Sequence, residues 1–546
     1  MTLGPQCWRC RKRRLRCDSS RPSCLKCTSA GTPCPGYGEK RPIAWRDPFV
    51  LTPRGVVRIR EASGGGPGSA SVMGITCRAP RSVGSELELR ITVDAISYYN
   101  THVAPDLVPY ATRRSPYQIC PSEVGELAEY LRKVYISIAT LHKHVSGEPS
   151  AIAQFASDSR SLAVRNRAGS CSTAADISEL MATGDFKSVH FAAQVAALRA
   201  LNEELQKHHT RDHSRDLEPG TLLGIMLVLS SQIQYSAYAP WQAHVHGAWC
   251  LITAQGGAEA LARKNQDHCR VLQQVAVVDI FGMSTHRLTT SSAETIIARH
   301  ASYALIFDKA TADVLNPWTL MPNDLAKILD QINVLRAQDF LASVTARVEG
   351  LSDVLRTLDE VLPDSWAAEV AMNATFWLTP GKLSDDAESK AAWTALMEAF
   401  LHAAVLYAIN SLAGMGTSNR LNCPDLISRE TTAYETLMSA IRFLFRQRAD
   451  RKHSSRSNPS DTTATSAGLL HKFVIWPMVV GGIQAALIHR DEATTKYLCS
   501  GMQSIGEELG TVSMIDGARL VAKLWSSGHG PASWDDIFDG APLFLM

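Results

Sequence analysis

The chain has 546 residues, too many for one ordinary domain and enough to bury a large core. Its 55 Lys+Arg and 53 Asp+Glu nearly cancel, to a net charge of +2, and 45% of its residues are hydrophobic. No apolar run reads as long enough for a bilayer, and Met1–Gln6 contains none, so neither a membrane span nor a signal peptide is expected.

The first feature along the chain is an internal repeat of cysteines. Cys7-x2-Cys10-x6-Cys17 recurs, after six residues, as Cys24-x2-Cys27-x6-Cys34. Two tetrahedral zinc ions need eight ligand positions, and six thiolates supply eight only if two of them bridge. The symmetry of the spacing makes Cys7 and Cys24 the bridging pair. One ion then takes Cys7, Cys10, Cys17 and Cys24, and the other takes Cys24, Cys27, Cys34 and Cys7. Three disulfides of a secreted miniprotein are the competing reading, and the missing signal peptide weighs against it. Zinc modules that serve protein contacts alone use other spacings and usually histidine.

Between Cys10 and Cys17 stand Arg11-Lys12-Arg13-Arg14-Leu15-Arg16, while the matching interval Thr28–Pro33 carries no charge. The halves are therefore alike as metal scaffolds and unlike as DNA surfaces, and the first is the one expected in the groove. Residues 1–41 hold ten Lys+Arg and two Asp+Glu, a net +8, which leaves −6 for residues 42–546. A basic head on a mildly acidic body is the layout of a nucleic-acid binder whose remaining mass does something else. Arg11, Lys12, Arg16 and Lys26 are expected on phosphates. A charge run that only solubilises a surface, or only directs nuclear import, is the bland alternative.

The stretch CWRCRKRRLRCDSSRPSCLKCTSAGTPC resembles the fungal Zn2Cys6 binuclear-cluster DNA-binding domain, in its six cysteines, its basic run and Pro22. That resemblance implies a nuclear transcription factor whose two-zinc module, with two short helices, reads a CGG-like triplet in the major groove of double-stranded DNA. Base-reading residues in that family lie three and four positions after the second cysteine, which here are Arg13 and Arg14. The family often has lysine there, and a planar guanidinium fork is not a compact ammonium.

From Thr52 to Leu87 apolar periodicity is lost, and Gly64-Gly65-Gly66-Pro67-Gly68-Ser69 reads as flexible linker. No heptad pattern follows the cysteines, so a coiled-coil dimer is not expected there. From residue 88 the texture is helical, with apolar residues three and four apart in 124–144, 186–206, 222–235, 241–262 and 393–412. The expected division is a DNA-binding module over 1–41, a flexible linker over 42–89 and a large all-α domain over 90–546. Arg448–Gly468 is expected as a loop. Phe473–Ile488 reads as a buried helix that Pro477 starts or kinks.

Two segments carry a second resemblance. Trp241-Gln242-Ala243-His244 with Gly247-Ala248 and Leu251-Ile252, and Phe473-Val474-Ile475-Trp476-Pro477 with Gly481-Gly482, resemble the fungal-specific transcription factor domain, in the second of its common types. Physically, Trp241 and Trp249 fall on one side of a helix, and Gly247-Ala248 would admit a close neighbour. His244 is read as a hydrogen-bonded helix residue. His208, His209 and His213 are read as a solvated loop. Cys77, Cys120, Cys171, Cys250, Cys269, Cys423 and Cys499 lack ligand spacing and are read mostly as small buried hydrophobes.

No P-loop, GxSxG, HExxH or dinucleotide fingerprint occurs, so no enzyme is expected. The C-terminal Trp534-Asp535-Asp536-Ile537-Phe538 suits either a coactivator-binding activation segment or a terminal helix docked on the body. The sequence thus reads as a zinc-dependent, sequence-specific regulator of RNA polymerase II genes. A homodimer or heterodimer would form through the helical body. The rival reading is a transcriptional cofactor tethered to other factors, with nonspecific DNA affinity only.

Overall fold

The computed structural model describes Cys7, Cys10, 17–20, 23–30 and Cys34, and then residues 83–107, 118–120, 124–125, 127–147, 177, 186–210, 219–264, 266–309, 320–342, 348–374, 387–415, 424–457, 469–527, 533–538 and 543–544. The chain divides into two compact units, one containing the cysteine repeat and one containing the helices from residue 83 onward. No strand occurs among the described residues.

In the first unit, α1 spans Leu25–Ser29 in the second arm of the repeat, and Cys10 is helical in the first. The second unit opens with α2 (Val83–Tyr98), α3 (Glu129–Gly147), α4 (Phe186–Thr210) and α5 (Pro219–Tyr235). It continues through α6 (Trp241–Ala254), α7 (Gly257–Ala262), α8 (Gln266–Ser284), α9 (Thr290–Lys309) and α10 (Asn323–Ala342). There follow α11 (Val348–Asp359), α12 (Pro363–Ala374), α13 (Ala387–Leu412) and α14 (Pro424–Ser457). The last are α15 (Ile475–Gln484), α16 (Glu492–Leu509), α17 (Ser513–Ser526) and the single turn α18 (Trp534–Ile537).

The sequence explains individual helices. In α3, Tyr130, Val134, Ile138, Leu141 and Val145 recur at three- and four-residue spacing and are all buried. Asp491 caps α16 by accepting the Thr494 N–H at 3.0 Å, and Gly510, at φ 59°, ends it in the left-handed region. α13 is apolar on every side and touches α10, α11, α12, α14, α15 and α18. By length and composition it could cross a bilayer, yet 83% of its most apolar 18-residue stretch is buried inside the body, where it is a core helix.

Several expectations are corrected. The run expected as one helix over 241–262 breaks into α6 and α7, because Gly256 and Gly257 adopt φ of 90° and 91°. Gly247 has nothing near its missing Cβ. The close approach is at Gly282 of α8, where a Cβ would lie 2.5 Å from the Trp241 ring. α2 begins at Val83, inside the stretch read as linker; Gly64–Ser69 lies outside the described residues. α14 runs through Arg448 to Ser457, where no proline or glycine interrupts it, and Arg448 pairs with Glu508 at 2.6 Å. α4 likewise extends through His208 and His209 to Thr210, and His213 lies outside the described residues. Cys120, Cys269 and Cys499 are half-buried and Cys250 is exposed, so the cysteines described in the body are not fully buried.

Other expectations hold. Pro477 sits in the first turn of α15, where its missing N–H costs no helical bond. A Cβ on Gly482 would lie 2.7 Å from Val521, so this glycine lets α15 and α17 meet. His244 Nε2 bonds Gln232 Oε1 at 2.9 Å, as a helix histidine should.

The C-terminal segment is docked in the core. Trp534, Ile537, Phe538, Leu543 and Phe544 are buried. Trp534 Nε1 donates to Ser284 O at 2.7 Å, Thr285 Oγ1 to Leu543 O at 2.6 Å, and Phe544 N to Ala237 O at 2.7 Å. Asp535 anchors it by accepting from Arg336 Nη2 at 2.8 Å and Nε at 3.3 Å, and from Leu288 N at 2.7 Å. Arg336, itself 3% exposed, also donates to Met283 O at 2.8 Å, Tyr407 Oη at 3.0 Å and the His286 carbonyl.

Breaking such a pair from one side strands a buried charge. Asp535→Ala should therefore cost the body about 3–5 kcal/mol in denaturant unfolding. Arg336→Met with Asp535→Leu should recover only the part due to the stranded charge, because the Met283 and His286 carbonyls lose their donor. Equal stability of Asp535→Ala and wild type would show that the pair does not hold the segment.

Candidate metal centre and nucleic-acid interface

Five of the six repeat cysteines, Cys7, Cys10, Cys17, Cys24 and Cys27, are buried, and Cys34 is half-buried; none forms a disulfide. A five-residue helix and its flanking turns have too little apolar surface to bury these thiols for packing alone. Their sulfurs form two overlapping groups, Cys7–Cys10–Cys17–Cys24 and Cys7–Cys24–Cys27–Cys34. Within each, all ligand atoms lie within 4.8 Å of one another. Cys7 and Cys24 belong to both, the sharing that the repeat's arithmetic requires.

The backbone is organised with the same symmetry. Cys10 N donates to Cys7 Sγ at 3.4 Å, and Cys27 N donates to Cys24 Sγ at 3.4 Å, so the first Cys-x2-Cys turn is repeated in the second. Cys7 N reaches back to Cys17 Sγ at 3.4 Å. Cys24 is the N-cap of α1, and its carbonyl accepts from Cys27 N at 3.0 Å and Thr28 N at 3.1 Å.

Sulfur separations test the fit to a metal. Zinc–thiolate bonds of about 2.3 Å in a tetrahedron put neighbouring sulfurs about 3.8 Å apart. Cys7 and Cys24 Sγ are 3.6 Å apart, Cys10 and Cys24 3.7 Å, and Cys7 and Cys27 3.8 Å. A disulfide would need about 2.05 Å. The donor set also wants a cation. Burial, then hydrogen bonds with neighbouring thiols, pushes the Cys27 thiol up to about 12 and Cys10 higher still. At Cys17 burial works upward too, but the N–H groups of Cys7 and Ser19 outweigh it and bring the thiol down to about 7. Crowded thiolates repel, and a dication removes that penalty. The residues present fit zinc.

Of the residues expected on DNA, Lys26 is exposed on α1, beside Leu25 at 65% exposure. Arg11, Lys12, Arg13, Arg14 and Arg16 lie outside the described residues. One residue had no place in the sequence reading. Asp18, directly after Cys17, accepts the Leu25 N–H at 2.9 Å. Its one sequence signal is an Asp close to serines, a composition that favours side-chain bonds to nearby backbone.

Residues 95–546 match the model of the fungal specific transcription factor domain. The chain belongs to that family of transcription factors. Residues 6–42 match the fungal Zn(2)-Cys(6) binuclear cluster domain, so the family implies zinc and DNA binding, and the chain is a regulator rather than an enzyme. The phomenoic acid biosynthesis cluster-specific transcriptional regulator of Leptosphaeria maculans is 24% identical over 99% of this chain and 89% of its own length. The arginine metabolism regulation protein II of Saccharomyces cerevisiae is 40% identical over 50 residues, 9% of this chain and 6% of its own. The acriflavine sensitivity control protein acr-2 of Neurospora crassa is 56% identical over 32 residues, 6% of this chain and 5% of its own. No solved structure matches.

Small metal modules without a large core fold as their metal binds, and the head is expected to do the same. Chelation of the full-length protein should abolish hydrogen-exchange protection at the amides of Cys27 and Thr28, and zinc should restore it. Protection that survives chelation would separate folding from metal.

Proposed function

We propose that the chain is a nuclear, sequence-specific transcription factor of RNA polymerase II genes that reads CGG-like triplets in the major groove. Its DNA-binding module is residues 1–41, a linker follows, and the regulatory domain is the helical body that opens with α2 at Val83. Two zinc ions occupy the head. One is held by Cys7, Cys10, Cys17 and Cys24, and the other by Cys7, Cys24, Cys27 and Cys34. What supports this reading above all is the overlap of the two thiol groups at Cys7 and Cys24.

Arg13 and Arg14 supply forked donors to guanine O6 and N7, and Arg11, Lys12, Arg16 and Lys26 neutralise phosphates. The net +8 of residues 1–41 supplies the long-range attraction. A single triplet offers few base contacts, so useful specificity takes a second head, brought by homo- or heterodimerisation through the helical body. Coactivators would meet other surfaces than the C-terminal segment, whose aromatic side chains are buried. The similarity to a biosynthesis cluster-specific regulator, spread over nearly the whole chain, favours control of a set of biosynthetic genes.

Selection from random DNA with zinc-loaded full-length protein should enrich CGG-containing sites, and Arg14→Ala should erase the preference among triplets. Enrichment of no sequence, or a uniform loss of affinity in Arg14→Ala, would favour a tethered cofactor instead. Metal content gives an independent check of the ligand assignment. Cys34→Ser should retain about one zinc per chain, whereas Cys24→Ser, which removes a shared ligand, should retain close to none.

A further inference from the structure

Asp18 joins the two halves of the cysteine repeat without touching the thiols. It leaves the first half directly after Cys17, and its exposed carboxylate reaches the second half at the first residue of α1. Oδ1 accepts the Leu25 N–H at 2.9 Å. Oδ2 accepts the Ser20 N–H at 3.3 Å and the Ser20 hydroxyl, and that hydroxyl also reaches Ser23 O at 3.4 Å. Ser19, between them, is held at φ 60°.

A helix's first N–H groups have no partner inside the helix. In α1 two of them are taken by acceptors from opposite halves: Leu25 N–H by Asp18, and Cys27 N–H by the shared sulfur of Cys24. Net charge alone does not place an acid at this position, since six thiolates around two dications are negative while the side chains of the head are in basic excess. The directed hydrogen bond is what accounts for it.

We propose that Asp18 is a positioning residue of the metal centre, resting on the zinc reading above. It holds the second Cys-x2-Cys arm against the first, so that Cys24 and Cys27 stay in place for the ions and Lys26 stays on a fixed helix. Outer partners of metal ligands are worth about 10–100-fold in metal affinity.

The test uses zinc-loaded full-length protein, a competing colorimetric chelator and hydrogen exchange at the Leu25 amide. Asp18→Ala should speed zinc transfer to the chelator about 10–100-fold and expose the Leu25 amide. Asp18→Asn keeps one acceptor oxygen for the Leu25 N–H, though not the second for Ser20, and should stay within about threefold of wild type on both readouts. An alanine variant that takes up no zinc while the asparagine variant does would support the proposal. Wild-type release and exchange in Asp18→Ala would overturn it and leave the zinc reading standing. Equal loss in both variants would also overturn it, because the Leu25 hydrogen bond that asparagine can keep would then not be what matters. Wild-type protein that takes up no zinc would overturn the proposal and the zinc reading together.

Discussion

A single buried guanidinium organises the helical body. Arg336 lies on α10, and its donors go to the Met283 and His286 carbonyls at the end of α8, Tyr407 on α13 and Asp535 on α18. Desolvating a guanidinium costs several kcal/mol, so the arrangement is stable only if every donor direction is met at once. That requirement fixes α8, α10, α13 and the C-terminal segment relative to one another more tightly than apolar contact would. Tyr407 passes the constraint on, donating to Asn333 Oδ1 at 2.6 Å, and Asn333 Nδ2 in turn donates to Ile280 O at 3.0 Å. Around this polar centre the aromatic side chains of Phe281, Phe400, Trp476 and Trp534 are packed, so the network sits inside the apolar core rather than at its edge.

The two units solve the folding problem by different chemistry. The body buries enough hydrophobic side chains, more than a hundred, to hold itself by exclusion of water. Among the described residues of the head the buried side chains are cysteines, so its cohesion is expected to depend on what the sulfurs bind. Their charges differ in the same way, since the head carries the basic excess and the body the acidic one.

The legible parts of this molecule were those set by local spacing. Two copies of Cys-x2-Cys-x6-Cys leave little freedom, and both four-thiol groups, with the shared Cys7 and Cys24, follow from counting. Helices with a regular apolar stripe, such as α3, were readable for the same reason. What escaped depends on contacts between distant residues or on backbone angles. Gly247 looked like the close-approach glycine of the Trp241 segment, but the ring of Trp241 turns toward Gly282, forty-one positions on. Gly256 and Gly257 carry no signal that distinguishes a tolerated helix glycine from a break until their φ values are known. The C-terminal acids and aromatics suited a coactivator-binding segment or a docked helix, and the deciding partner, Arg336, is far away in sequence. Asp18 was invisible for a smaller reason: its bond to Leu25 spans only seven residues, but it depends on how the chain turns between the two cysteine arms.

The Arg336–Asp535 pair also carries a schedule. The two residues are 199 positions apart, and Asp535 lies among the last dozen residues of the sequence. At a synthesis rate of about 5–20 residues per second, Arg336 precedes its counter-ion by roughly 10–40 seconds. Tyr407 and the α8 carbonyls reach it sooner, but they bring no negative charge. Through that interval the nascent body carries a cation with no anion to bury it against, along with open seats for Trp534, Phe538 and Phe544. The domain therefore cannot close progressively from its N-terminal side as it is translated. Its core is completed only once Asp535 and the aromatic residues around it have been made.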